Sequence, residues 1–131
     1  MSTHSSLRKR KLTGGKKRAY RTKKVYESGG YPAETILGES KRKVARTKGG
    51  NSKVKVLTEK FASVTDPKTN TTAKTEIVRV VSNGANVDYN RRGVITKGAE
   101  IETALGLAKV TSRQGNDGII NAVLVEGKGK A

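Results

Sequence analysis

Hydrophobic and polar positions alternate through the last two thirds of the chain and scarcely at all before it. KRKVARTK (Lys41–Lys48) alternates weakly, Gly49-Gly50-Asn51-Ser52 breaks the pattern, and KVKVL (Lys53–Leu57) resumes it. This predicts a β-hairpin with a loop somewhat longer than two residues. Glu59 to Thr65 reads as an extension of the second strand, and Asp66-Pro67-Lys68-Thr69-Asn70 carries strong turn chemistry. TAKTEIVRVV (Thr72–Val81) predicts a strand with one end buried, followed by Asn83-Gly84, a dipeptide that tolerates positive φ. Gly93–Thr96 reads as a short strand and Lys97-Gly98-Ala99 as a turn. Two clear strands follow, Leu105–Ser112 and Ile119–Val125, joined by a hairpin loop over Arg113–Gly118. The second is apolar on both faces except at Asn121, which predicts a central strand. A helical period is visible only over Ala99–Leu105.

Short strands at roughly 8–12-residue spacing predict a mainly β fold, a small antiparallel barrel or a folded-over sheet, over residues 41–127. Residues 128–131 read as a tail. The first 40 residues sustain neither period and are broken by Gly14-Gly15, Gly29-Gly30, Pro32 and Gly38. A segment so polar cannot offset the entropy of its own ordering. Residues 1–40 are therefore expected to be a long extended arm that gains shape only against a partner. A short helix around Ala19–Tyr26 is compatible with the pattern, although its like charges oppose it.

Charge sharpens this division. Residues 1–53 hold 16 Lys/Arg against three acids, whereas residues 54–131 hold 12 against eight. Between Arg8 and Lys24, ten of seventeen residues are basic and none is acidic. The formal net charge of the 131-residue chain is +17, and repulsion on that scale calls for a polyanion. Hydrophobic residues reach 33% and aromatics 4%, so the core is expected to be modest and the free protein marginally stable. Cysteine is absent, which removes disulfides and thiolate chemistry. No apolar run follows the basic amino terminus, and none approaches the roughly 18 residues of a membrane helix. A soluble, cytoplasmic protein is expected.

Enzyme signatures do not assemble. His4 stands alone near the start of the chain, and Glu100 and Glu102 lack a third metal ligand. Gly93 and Gly98 have the spacing of a phosphate loop, but Lys97 precedes the second glycine and Ala99 follows it, so the match fails. Asn70-Thr71-Thr72 fits a glycosylation sequon and reads as a turn. No catalytic residue, metal, cofactor or small-molecule substrate is expected.

The basic segment remains. A solubilising tail would use its charge only for hydration, and a membrane-surface helix would require an apolar face that Leu7, Leu12, Ala19 and Val25 are too sparse to form. Nucleic-acid phosphate suits it better. Contact is expected in the arm from Arg8, Lys9, Arg10, Lys11, Lys16, Lys17, Arg18, Arg21, Lys23 and Lys24. Lys41, Arg42, Lys43, Arg46 and Lys48 would add an ordered basic face on a predicted strand. Gly14-Gly15 and Gly49-Gly50 would admit a sugar-phosphate chain close to the backbone, or serve only as turns. Tyr20, Tyr26 and Tyr31 either stack on bases or anchor the arm to the β-domain. No helix-turn-helix, zinc-finger, basic-zipper or RRM pattern occurs, so a folded RNA is favoured over duplex DNA. A nucleoid-type architectural DNA-binding protein is the alternative, and would need a dimer or apolar wedges.

KLTGGKKR (Lys11–Arg18), KVYES (Lys24–Ser28), PAETILG (Pro32–Gly38), VARTKGGNSKVKVL (Val44–Leu57) and the long run Val94–Gly127 together resemble the small-subunit ribosomal protein family S8e, in its compact archaeal branch. The resemblance spans residues 7–127 and implies a structural constituent of the 30S subunit. Its implied partners are 16S ribosomal RNA and neighbouring 30S proteins, with no membrane association. It implies RNA contact at Thr13–Arg18, Lys23–Lys24, Arg46–Lys48 and Gly49–Asn51, which adds Thr13 and Asn51 to the candidates. Two departures stand out. Ser28-Gly29-Gly30-Tyr31 replaces a Leu-Gly-Arg-like segment, and Gln114 replaces a proline, which should loosen the last hairpin turn.

Overall fold

The computed structural model describes residues 9–27 and 29–127. They fall into two compact units that divide between Pro32 and Ala33. Residues 33–40 therefore belong to the β-unit, ahead of the boundary that charge and glycine content suggested. The reason is burial: the Thr35 hydroxyl donates to the Val56 carbonyl at 2.7 Å, and Ile95 N donates to Thr35 O at 2.7 Å.

The β-unit opens with a three-stranded sheet. Strand β1 (Ile36–Leu37) pairs parallel with β3 (Ser52–Glu59), which pairs antiparallel with β2 (Lys41–Arg46). The predicted hairpin is thus present, with β3 in the middle and β2 on the edge. The extension of its second strand is not. The chain bends at Lys60, whose carbonyl accepts from Ile77 N at 2.9 Å, and the next residues join a different sheet.

That second sheet is a closed barrel of β4 (Phe61–Asp66), β5 (Thr71–Ser82), β6 (Glu100–Thr103), β7 (Gly106–Val110) and β8 (Asn121–Gly127) in sequence order. Consecutive strands run antiparallel, while β4 and β8 close the barrel in parallel. An odd number of alternating strands must leave one parallel pair. Closure also removes any central strand, so β8 does not hold the position its apolar sequence suggested. Ile120 and Ala122 point inward, while Ile119 and Val125 are exposed. The core is narrow, with Ala62, Val64, Ile77, Ile95, Ile101, Ala108, Val110, Ile120 and Ala122 all buried. Three alanines among nine positions suit the small bore of five strands.

Between β5 and β6 the sequence expectations fail. Val87–Arg92 forms helix α1, Gly93–Thr96 contributes only a single bridge between Ile95 and Thr35, and Ala99–Leu105 contains strand β6 rather than a helix. Helix α1 is capped at both ends: Asn86 Oδ1 accepts from Asp88 N at 2.9 Å, and Gly93 closes the helix at φ +64°. Asn83-Gly84 makes no positive-φ turn. Buried Asn83 instead acts as a clip, donating to Val94 O at 2.6 Å and accepting from Ala85 N and the Thr96 hydroxyl. The predicted turn at Asp66–Asn70 is present, with Asn70 at φ +53°.

The loop after β7 docks the three-stranded sheet. Gln114 O accepts from Val56 N at 2.9 Å, and Asp117 bridges Val54. A Cβ at Gly118 would stand 2.9 Å from the Val54 Cβ, so close approach as well as its φ of +75° requires glycine. Gln114 is itself buried, and its side-chain amide donates to the Ser112 hydroxyl at 3.4 Å.

Candidate nucleic-acid interface

The amino-terminal unit holds its basic residues on two small local structures. Lys11 N donates to Gly15 O and Gly14 N to Lys11 O, each at 3.0 Å. With Gly14 at φ +81°, these bonds form a three-residue hairpin loop that displays Leu12 and Thr13. Arg10 Nη1 bonds Gly14 O at 2.9 Å, and Lys16, Lys17 and Arg18 follow, fully exposed. The second structure is a 3-10 turn at Val25–Glu27, and no α-helix forms around Ala19–Tyr26, where the pattern is compatible with one but like charges oppose it. Glu27 accepts both Nη groups of Arg21, at 2.7 and 2.6 Å, and the Lys24 amide at 3.0 Å. Arg21, which also lies 5.1 Å from the Tyr20 ring centre, has its fork closed on an internal carboxylate. The hydrogen bond to Glu27 raises its pKa further. Lys9, Lys23 and Lys24 lie in this unit too, while Arg8 and Ser28 fall outside the described residues.

The β2–β3 hairpin carries the other group. In its register Lys43 faces Lys55, and Ala45 faces Lys53. Directly opposed like charges disfavour the pairing unless an anion joins them. Among the described residues, Lys41, Lys43, Arg46 and Lys53 have no carboxylate partner. The turn between the strands is closed by Thr47 N to Asn51 O at 2.7 Å, around Lys48–Gly50. Gly49 and Gly50 sit at φ +77° and +76°; a Cβ would meet only the Asn51 amide at 3.5 Å from Gly49 and nothing near Gly50, so backbone conformation accounts for both glycines. Asn51 contributes a long 3.5 Å bond to Lys48 O.

Arg42 differs from its neighbours. Its Nη2 lies 2.8 Å from Glu59 Oε2, which also accepts from the Ser40 hydroxyl at 2.9 Å. Burial pushes the Glu59 carboxyl up, but the bonds from Ser40 and Arg42 outweigh it and hold the pKa below its ordinary value. Lys53 and Lys55 escaped the sequence reading, although the alternation of KVKVL places both on one face.

Thirteen described candidates therefore lie in the first unit and eight on the hairpin. The comparisons with known proteins agree on what this pattern belongs to. The profile of ribosomal protein S8e matches residues 4–125. This chain belongs to that family. Small ribosomal subunit protein eS8 of Ignicoccus hospitalis is 50% identical over 121 residues, covering 91% of this chain and 93% of that protein. The eS8 proteins of Methanococcus aeolicus and Methanocorpusculum labreanum are 52% and 50% identical, over 89% of this chain and 92% and 94% of theirs. An S8e protein is a structural ribosomal component and not an enzyme. Among the described residues no helix is long and apolar enough to cross a membrane.

Proposed function

We propose that this protein is a structural constituent of the small ribosomal subunit in the cytoplasm, binding 16S ribosomal RNA by phosphate neutralisation. The arm supplies mobile-partner chemistry: a close succession of cations around the Gly14 loop, with few internal anions to compete. The hairpin supplies a fixed row of cations that aligns the β-unit on the RNA backbone. One observation carries the reading, namely that Lys41, Lys43, Arg46 and Lys53, on two adjacent strands, have no carboxylate partner among the described residues. Neighbouring 30S proteins are the expected protein contacts.

Salt dependence tests it. Arg18 and Arg46 can each make forked phosphate contacts, which a lysine cannot reproduce. Replacing both by alanine should weaken binding to 16S RNA and lower the slope of log K against log salt by about 1.4–1.8. An unchanged slope would show that neither side chain reaches phosphate.

A further inference from the structure

Outside the basic segments, one patch combines an exposed aromatic ring, unpaired positive charge and a cleft. Phe61 is the only phenylalanine of the chain and stays 39% exposed, although it begins a barrel strand. It stands on the outward face of β4, beside Ser63, while Ala62 and Val64 fill the core. In the register of β4 and β5, Lys74 faces Ser63, so it is the diagonal neighbour of Phe61. The Lys74 ammonium lies 4.7 Å from the ring centre, and no carboxylate engages it among the described residues. Lys60, at 6.0 Å, is by contrast bound to Glu76 at 2.9 Å. Phe61, Lys74 and Ser63 share a cleft of about 220 Å³ with Arg42, Glu59 and half-exposed Ile119.

We propose that this cleft takes an unpaired nucleobase of RNA, stacked on the Phe61 ring, with Lys74 and Arg42 on the adjoining phosphates. The inference rests on the RNA-binding reading and adds a site to it. Lysine over an aromatic face is weakly held at an exposed position. Its ammonium can swing from the ring to a phosphate and leave the face to a base, which is apolar, planar and of matching size. Ser63 is the reason such a ring fits, because a larger residue there would fill the space between Phe61 and Lys74. Arg42 joins the cleft to the β2 cations, so one RNA strand can run along the hairpin and drop a base here. A net charge of +17 favours a polyanion over an acidic peptide or another basic ribosomal protein.

Because the chain has a single phenylalanine, 4-fluorophenylalanine labelling gives the full-length protein one fluorine resonance. Oligo-adenylate and a blunt RNA duplex of equal length serve as probes, with binding followed independently by anisotropy. The fluorine line should move with oligo-adenylate and stay in place with duplex, although both bind. Phe61→Leu should lose about fivefold to a hundredfold in affinity for oligo-adenylate, and Phe61→Trp should retain it. Duplex affinity and the salt slope should not change in either variant. Oligo-adenylate binding that leaves the line unmoved would overturn the proposal, as would an equal response to duplex. So would a line that responds only to other ribosomal proteins. Should neither RNA bind the wild-type chain, the RNA-binding reading itself falls, a result that anisotropy reports without reference to Phe61. The labelled wild-type protein keeps the test decisive even if a Phe61 variant does not fold.

Discussion

The amino-terminal unit and the barrel are built from the same chain under opposite electrostatic conditions. Between Lys9 and Pro32 one described carboxylate, Glu27, faces nine cations, and no described residue is buried. In the barrel some charges are ion-paired, as Arg79 with Glu102 at 2.6 Å and Lys60 with Glu76, and nine side chains form a shared core. Apolar contacts are able to hold the second region, whereas the first, with no buried residue among those described, sets local turns and the Arg21–Glu27 pair against its own repulsion. The hairpin, within the β-unit, combines both conditions: Val56 is buried and Val54 half-buried, while Lys41, Lys43 and Lys53 lack a carboxylate partner among the described residues.

Breaking this contrast from the barrel side should produce the largest effect. Ile101 is fully buried, and Ile101→Ala should cost about 2–5 kcal/mol, much of what a unit of this size possesses. Thermal or urea unfolding would register the loss, and a stability within about 0.5 kcal/mol of wild type would show that the barrel is not the source of order. From the other side, removing residues 1–32 should lower 16S RNA affinity at least about a hundredfold, since ten cations go with them. The melting temperature should scarcely change. A large fall in Tm would mean that the arm supports the fold, against the division drawn here.

The smallest effect sharpens the boundary at the hairpin. Glu59 is held below the ordinary carboxylate range despite its burial, by Ser40 and Arg42. A depressed folded value contributes stability that is present above the unfolded pKa, near 4.3, and is lost as pH falls through the folded value. Glu59→Gln should therefore cost about 1–2 kcal/mol at neutral pH. The difference between variant and wild type should narrow below about pH 4, as melting curves across that range would reveal. A difference that stays constant with pH would remove the carboxylate charge from the account.

Much of the hairpin was legible because its signals are local. Alternation in KRKVAR and KVKVL, with Gly49-Gly50 between, is a statement about neighbours within a few residues. So is the Asp66–Asn70 turn. Helix α1 was equally local and was still overlooked: Asn86, Asp88, Arg91, Arg92 and Gly93 occupy its ends in the order that capping favours, but six residues are too few to display a period. The density of cations from Lys9 to Lys24 pointed to a polyanion with no structure at all, since charge is read directly from composition.

Other features depended on residues distant in sequence. The strand that alternation carried through Glu59 to Thr65 breaks at Lys60 because Phe61–Asp66 finds better partners in β5 and β8. Asn83 became a clip only once Val94 and Thr96 were folded back on it. The cleft at Phe61 draws residues from β2, β3, β4, β5 and the approach to β8, so no window of sequence contains it. By itself the sequence determined the β2–β3 hairpin, the long strand after the Asp66–Asn70 turn, where charge accumulates and that a polyanion must neutralise it, since those depend on composition and near neighbours. Tertiary structure alone decided the barrel's closure, the break at Lys60 and the company that Arg42 and Phe61 keep. Pairing and packing choose among compatible local structures according to what the whole chain can bury.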